Sequence, residues 1–172
     1  MGLLGKGQMS SPIQNHEVHI ANDLFWVTGE METLGNPHNY INQDGMDFIR
    51  IDNPHIVPWS FSGLPSSQTP AVVMARERTQ LLMFMHEESL AEYRPAPRME
   101  RLVLHLPLAI IRGQAPFLSE AKLNNFLDFF KGVFVPIADA EVYFLADNPI
   151  QLPTQSPLVY INRYILQSYI AG

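Results

Sequence analysis

The chain has 172 residues, 47% of them hydrophobic and 16% charged, with a formal charge of −6. That is enough apolar sequence for one ordinary domain or two very small ones. The negative charge argues against a general nucleic-acid binder and against adhesion to an anionic membrane, since both depend on Lys and Arg, and the lack of cysteine excludes disulfides and thiolate metal ligands.

The opening "MGLLGKGQMSS" has no apolar stretch of the ~7–15 residues that a secretory leader needs. Position 6 is Lys6, where an N-myristoylation pattern wants Ser or Thr. The longest apolar run, "LVLHLPLAII" (102–111), contains His105 and Pro107 and is far short of a membrane helix. Residues 1–16 read as a flexible N-terminus, and the expected compartment is cytoplasmic.

Next, "HEVHIAND" puts Val18 and Ile20 on one face, the alternation of a half-buried strand. "LFWVTGE" reads as a second strand, turned through Asn22-Asp23 and ending at Gly29. Asn36 as cap and Pro37 at the first helical position predict a short helix carrying Tyr40 and Ile41 and stopping at Gly45. "FIRI" opens another strand, and "AVVMA" with "TQLLMFM" predicts a closing hairpin with Arg76 in its turn. "ESLAEYRPAPR" (88–98), charged and carrying two prolines, reads as a connector.

The same order then recurs. "LVLHLPLAIIRGQA" aligns with "VHIANDLFWVTGEM", placing Gly113 on Gly29. Ser119 as cap, then Leu123, Phe126, Leu127 and Phe130 at spacings of three and four, predict a longer, more apolar helix stopped by Gly132. "FVPIADAEVYFL" aligns with the segment holding Phe48 and Asn53, read as two strands or one long bent one. "LPTQSPLVYINRYILQ" matches "LPSSQTPAVVMARERTQ", with Arg163 on Arg76 and Gln167 on Gln80. Internal repeats of this kind signal duplicated architecture.

The expected fold is therefore α+β and β-rich: two tandem pseudo-symmetric repeats, residues 17–87 and 99–172, joined by the connector 88–98. Each has about five strands with one inserted helix. A unit of that size is marginal alone. Phe129 and Phe130 are adjacent and cannot both face one small core. The repeats are therefore expected to be small-barrel-like and packed on each other as a pseudo-two-fold pair with a shared core.

The second repeat resembles an uncharacterised bacterial domain-of-unknown-function family, whose pattern runs strand–Gly, an "LSxFLN"-like helix, "FxPLxDAxVY" and "VNRxxI". The matching residues are Gly113, Leu123, Asn125, Phe126, Phe134, Pro136, Asp139, Ala140, Val142, Tyr143, Asn162, Arg163 and Ile165, over most of residues 100–170. The first repeat departs from it, with Arg50, Asn53 and Ala75 in place of Pro136, Asp139 and Asn162. The resemblance implies a small β-rich domain with no assigned activity, so it transfers no site residue. In strand order the unit also resembles, more distantly, Sm-like barrels, but the acidic charge counts against the RNA binding that this implies.

His38 and Asp44 flank the short helix, and His55 is near in sequence. Imidazole with carboxylate is zinc-ligand or acid–base chemistry, though no fixed spacing such as HExxH is present. Arg76 and Arg163 hold equivalent turns, as an anion or partner site or as braces. His16, His19 and Asp23 read as surface polar residues, because i and i+3 of a strand face opposite ways. Trp26, Trp59, Phe61 and Tyr93 read as core or as the lining of a cleft. Met83 and Met85 share a strand face with Leu81, an oligomer surface if that face is exposed. "GLPSSQTP" (63–70) reads as a loop joining two strands. No nucleophile elbow, Walker loop or dinucleotide fingerprint occurs.

The expectation is a non-catalytic interaction or regulatory module. Its partner is a protein or a second copy, with no cofactor, no metal, no nucleic acid and no membrane. The alternative is a small-molecule or metal binder, or a hydrolase, using the short-helix region or an inter-repeat cleft. The candidate ligand or partner residues are Arg76, Arg163, His38, Asp44 and His55.

Overall fold

The structure, a computed structural model, describes residues 12–59, 67–147 and 150–172. In chain order it holds β1 (Ile13–Ala21), β2 (Phe25–Leu34), α1 (Pro37–Tyr40), β3 (Phe48–Pro58), β4 (Ser67–Gln68), β5 (Ala71–Ala75) and β6 (Leu81–Phe84). There follow α2 (Glu87–Ala91), β7 (Arg98–His105), β8 (Ala109–Phe117), β9 (Phe134–Phe144), β10 (Gln155–Asn162) and β11 (Ser168–Ala171). Short 3-10 segments occupy Arg76–Arg78 and Leu123–Phe129. No helix among the described residues is long and apolar enough to cross a membrane.

All strands belong to one open antiparallel sheet, in the order β11-β7-β8-β9-β10-β6-β1-β2-β3-β4, with β5 also on β3. The first half therefore runs β6-β1-β2-β3-β5 and the second β11-β7-β8-β9-β10. The two halves meet where β10 pairs with β6, Tyr160 opposite Leu82 and Ile161 opposite Leu81.

This junction overturns the expected pseudo-two-fold packing. It joins the last-but-one strand of one half to the last strand of the other, a head-to-tail relation. It also overturns the closing hairpins. After Arg76–Arg78 the chain leaves β5 on β3 and enters between β1 and β10, so β5 and β6 are consecutive but not neighbours.

The residues of β6 show why. "LLMF" has no polar side, and all four residues are buried. A run apolar on both faces suits a central strand, not an edge. Leu81 and Met83 enter one core cluster, Leu82 and Phe84 the other. β10 alternates likewise, with Val159 and Ile161 on the first cluster and Leu158 and Tyr160 on the second. The junction strands thus separate two cores, each built by residues of both halves. Each side chain so buried contributes about 1.5–3 kcal/mol.

Within each half, the glycines expected to end the second strands lie inside them. A Cβ on Gly29 would stand 2.5 Å from Cγ2 of Ile51 and 2.8 Å from the carbonyl oxygen of Asp52. On Gly113 it would stand 2.6 Å from Cγ2 of Ile137 and 2.8 Å from the carbonyl oxygen of Ala138. At both glycines the register with the third strand slips, and that strand bends at a residue with φ of 48°, Asn53 or Asp139. Asn and Asp are the side chains that best tolerate this left-handed region. β3 and β9 are therefore single bent strands.

α1 matches its predicted start: the Asn36 side chain accepts from the backbone N–H groups of His38 and Asn39, with Pro37 leading. The second inserted segment differs. It is 3-10, not α, and Asn125 breaks it at φ −140°. Asn125 turns its side-chain oxygen back to the Lys122 N–H, so Ser119 is not its cap. Phe126 is buried there, while Phe129 is exposed. β1 starts at Ile13, before the expected start of the first half, and α2 begins at Glu87, the last residue of that expected half, and runs into the expected connector.

Candidate functional site

The junction of the halves creates two features that no local stretch of sequence announces. The first is a concavity of about 910 Å³, walled by both halves. Asp23 and Pro107, from the β1–β2 and β7–β8 turns, stand on it, together with Phe48, Arg76–Arg78 and Tyr164. Its charged walls carry both signs.

Arg76 and Arg163 do not meet as an anion clamp. Nη1 of Arg76 donates to the carbonyl oxygens of Gln43 (2.8 Å) and Ile41 (3.4 Å). Nη1 of Arg163 donates to those of Leu127 (2.9 Å) and Phe130. Their backbone N–H groups bond the carbonyls of Asp47 and Val133, so the two turns are built alike. Each arginine braces the chain just ahead of its half's third strand.

The second feature is a buried polar chain linking β1, β2, α1, α2 and β10. His16 approaches Ser89 Oγ through Nδ1 (2.7 Å) and Thr33 Oγ1 through Nε2 (3.0 Å). Nε2 of His38 lies 2.8 Å from the Ser89 carbonyl oxygen, and its Nδ1 meets the Tyr160 hydroxyl. The protons can be assigned one by one. A carbonyl only accepts, so His38 carries its proton on Nε2, and neutral Nδ1 accepts from Tyr160. Thr33 gives its proton to the Gly35 carbonyl, so it accepts from Nε2 of His16, whose Nδ1 accepts from Ser89. Every donor finds an acceptor with both imidazoles neutral.

The electrostatics agree. Burial is the main cause holding His16 and His38 below the ordinary imidazole value of 6.5, against the opposite pull of Glu92. Burial likewise pushes the Tyr160 phenol above its usual range. Tyr93, edge-on to His38 at 5.7 Å, is raised for the same reason.

Ser89 with His16 has the contact of a nucleophile with its base. However, Ser89 is only 3% exposed, and the base is oriented by a hydroxyl, not by the carboxylate that would stabilise an imidazolium. The pair is a structural tie. His16 was expected at the surface and is buried; its neighbour His19 packs edge-on against Trp26 at 5.2 Å. The signal for this chain was invisible in sequence, because its members are 17 to 122 positions apart.

The expected His38, Asp44 and His55 cluster is not assembled. His38 is buried with both ring nitrogens engaged. Asp44 is exposed in the turn after α1, and His55 is exposed on β3 opposite Thr28 and Gln68. Among the described residues no group of three or more His, Asp or Glu side chains is placed to hold a metal ion. Trp26 and Trp59 are core, packed on Phe144. Phe61 and residues 63–66 of "GLPSSQTP" lie outside the described residues, and Ser67–Gln68 form β4. Met83 is buried and Met85 exposed. No protein-family model, curated protein or solved structure matches the chain.

Proposed function

We propose that this chain is a non-catalytic interaction module made of a duplicated, small-barrel-like β unit, and that it works by strand pairing with protein partners. The observation that carries this reading is the junction itself: the halves are joined by backbone pairing of β10 with β6, a mode that serves between chains as well as within one. The duplication is supported by matched geometry at matched sequence positions, at Gly29 and Gly113, Asn53 and Asp139, Arg76 and Arg163. Arg76, Arg163, His16 and His38 spend their side chains on internal bonds, as suits a scaffold. The resemblance to a domain family without assigned activity is in keeping with this.

The concavity favours a second reading, a binder of a small polar ligand between the halves. A thermal-shift screen with divalent metals and small anionic and neutral metabolites separates the two. A ligand that binds only the native state raises the melting temperature by mass action. The interaction reading expects no such rise; a saturable rise, abolished by substituting Arg78 on the concavity, would replace it with the binder reading.

A further inference from the structure

We infer that the chain associates with further copies of itself head to tail, β5 of one copy pairing antiparallel with β11 of the next in the register of β10 on β6. The inference rests on the interaction-module reading and names the partner.

β5 is the counterpart of β10: Met74 lies opposite Ile49 as Ile161 lies opposite Val135. β11 is the counterpart of β6: Ala171 lies opposite Leu102 as Phe84 lies opposite Val18. β10 and β6 have found each other inside the chain. β5 and β11, at the two ends of the same sheet, have no strand on their outer side among the described residues. Each copy therefore carries both members of an interface whose fit the chain already displays once.

Burial marks the same edges. At the junction Phe134 and Tyr160 cross into the other half's core and are 0% and 1% exposed. Their counterparts Phe48 and Val73 are 61% and 58% exposed. On the opposite edge, Met83 is fully buried while its counterpart Ile170 is 54% exposed. Native edge strands are normally guarded by charge, proline or a bulge, yet "AVVMA" and "SYIA" contain no charged residue and no proline. Unequal surfaces on one chain make a heterologous contact, which yields rings or open chains. The polar supports differ: Tyr160, Asn162 and His38 correspond to Val73, Ala75 and Asn124, so the contact between copies rests on backbone pairing and apolar burial.

The test is solution mass by light scattering on the full chain. Species that are multiples of 19.5 kDa are expected, reverting to a folded monomer in Val73→Lys and in Ile170→Lys; both side chains are exposed, so circular dichroism and melting temperature should hold. Because the chain has no cysteine, the register can be read directly. The backbone bond from Asn162 to Gln80 translates to Ala75 facing Gln167 of the next copy. Ala75→Cys mixed with Gln167→Cys should form a disulfide-linked pair, and neither variant alone should. A wild-type monomer at every concentration, or disulfides forming only within one variant, would overturn the inference. A monomer that also gains no stability from metals or metabolites leaves the interaction-module reading standing; stabilisation by such a ligand removes that reading instead.

Discussion

Tyr160 donates its phenolic proton to Nδ1 of His38, 122 positions earlier in the chain, while the two rings stack at 5.5 Å. One contact thus fastens β10 of the second half to the short helix of the first, and through Nε2 of His38 to the Ser89 carbonyl on α2. Tyr160→Phe keeps the ring and removes the donor, leaving a buried imidazole nitrogen unpaired. The expected loss is about 1–3 kcal/mol, measured by urea unfolding. No change would mean that the hydrogen bond between Tyr160 and His38 contributes nothing to the stability of the fold.

The buried histidines set a pH dependence. Burial holds His16, His19 and His38 below 6.5, so the unfolded protein takes up protons first as pH falls. The stability contributed by the neutral rings is full above about 6.5 and is lost as pH drops from there toward their folded-state values, by at most about 1.4 kcal/mol per pH unit for each ring. Most carboxylates titrate lower, below about pH 5. Urea midpoints should therefore fall between about pH 7 and pH 5.5, and fall less in His38→Gln. A midpoint that rises over that interval would contradict the neutral chain.

Gly29 and Gly113 make a matched pair. Alanine at either would press its methyl against a third-strand backbone oxygen that cannot step aside. Each substitution should cost about 1–3 kcal/mol, with similar changes in denaturant midpoint. A large loss at one and none at the other would show that the two crossings are not equivalent.

Phe126 is 2% exposed, stacked on Phe117 at 4.8 Å and edge-on to Tyr169 at 4.9 Å. Phe126→Ala should cost about 3–5 kcal/mol, measured by calorimetry or denaturant. Tyr40→Ala should cost less, since Tyr40 is only partly buried at the end of a four-residue helix. The reverse order would mean that the irregular second segment collapses around the cavity.

Local chemistry was legible where a few neighbouring residues decide the outcome. Asn36 caps and Pro37 leads α1, the alternation in "HEVHI" lies in β1, and glycines and arginines recur at matched positions. Where the register and the partner of a strand are set by distant backbone, the sequence misled. The apolar run "LNNFLDFF" has helical spacing, yet Asn125 spends its side chain on the Lys122 N–H and the segment tightens to 3-10. "TQLLMFM" looks like the return arm of a hairpin, but its two apolar faces are satisfied only between β1 and β10.

By itself, the sequence determined a β-rich chain, the turn at Asn22-Asp23, the start of α1 and a lack of thiol chemistry. Tertiary structure alone decided that the two halves join head to tail, that Arg76 and Arg163 brace their own turns, and that His16 and His38 are buried. The physical reason is range. Caps, turns and alternation depend on groups within a few residues of each other, whereas strand pairing and burial depend on which distant backbone arrives to accept a hydrogen bond.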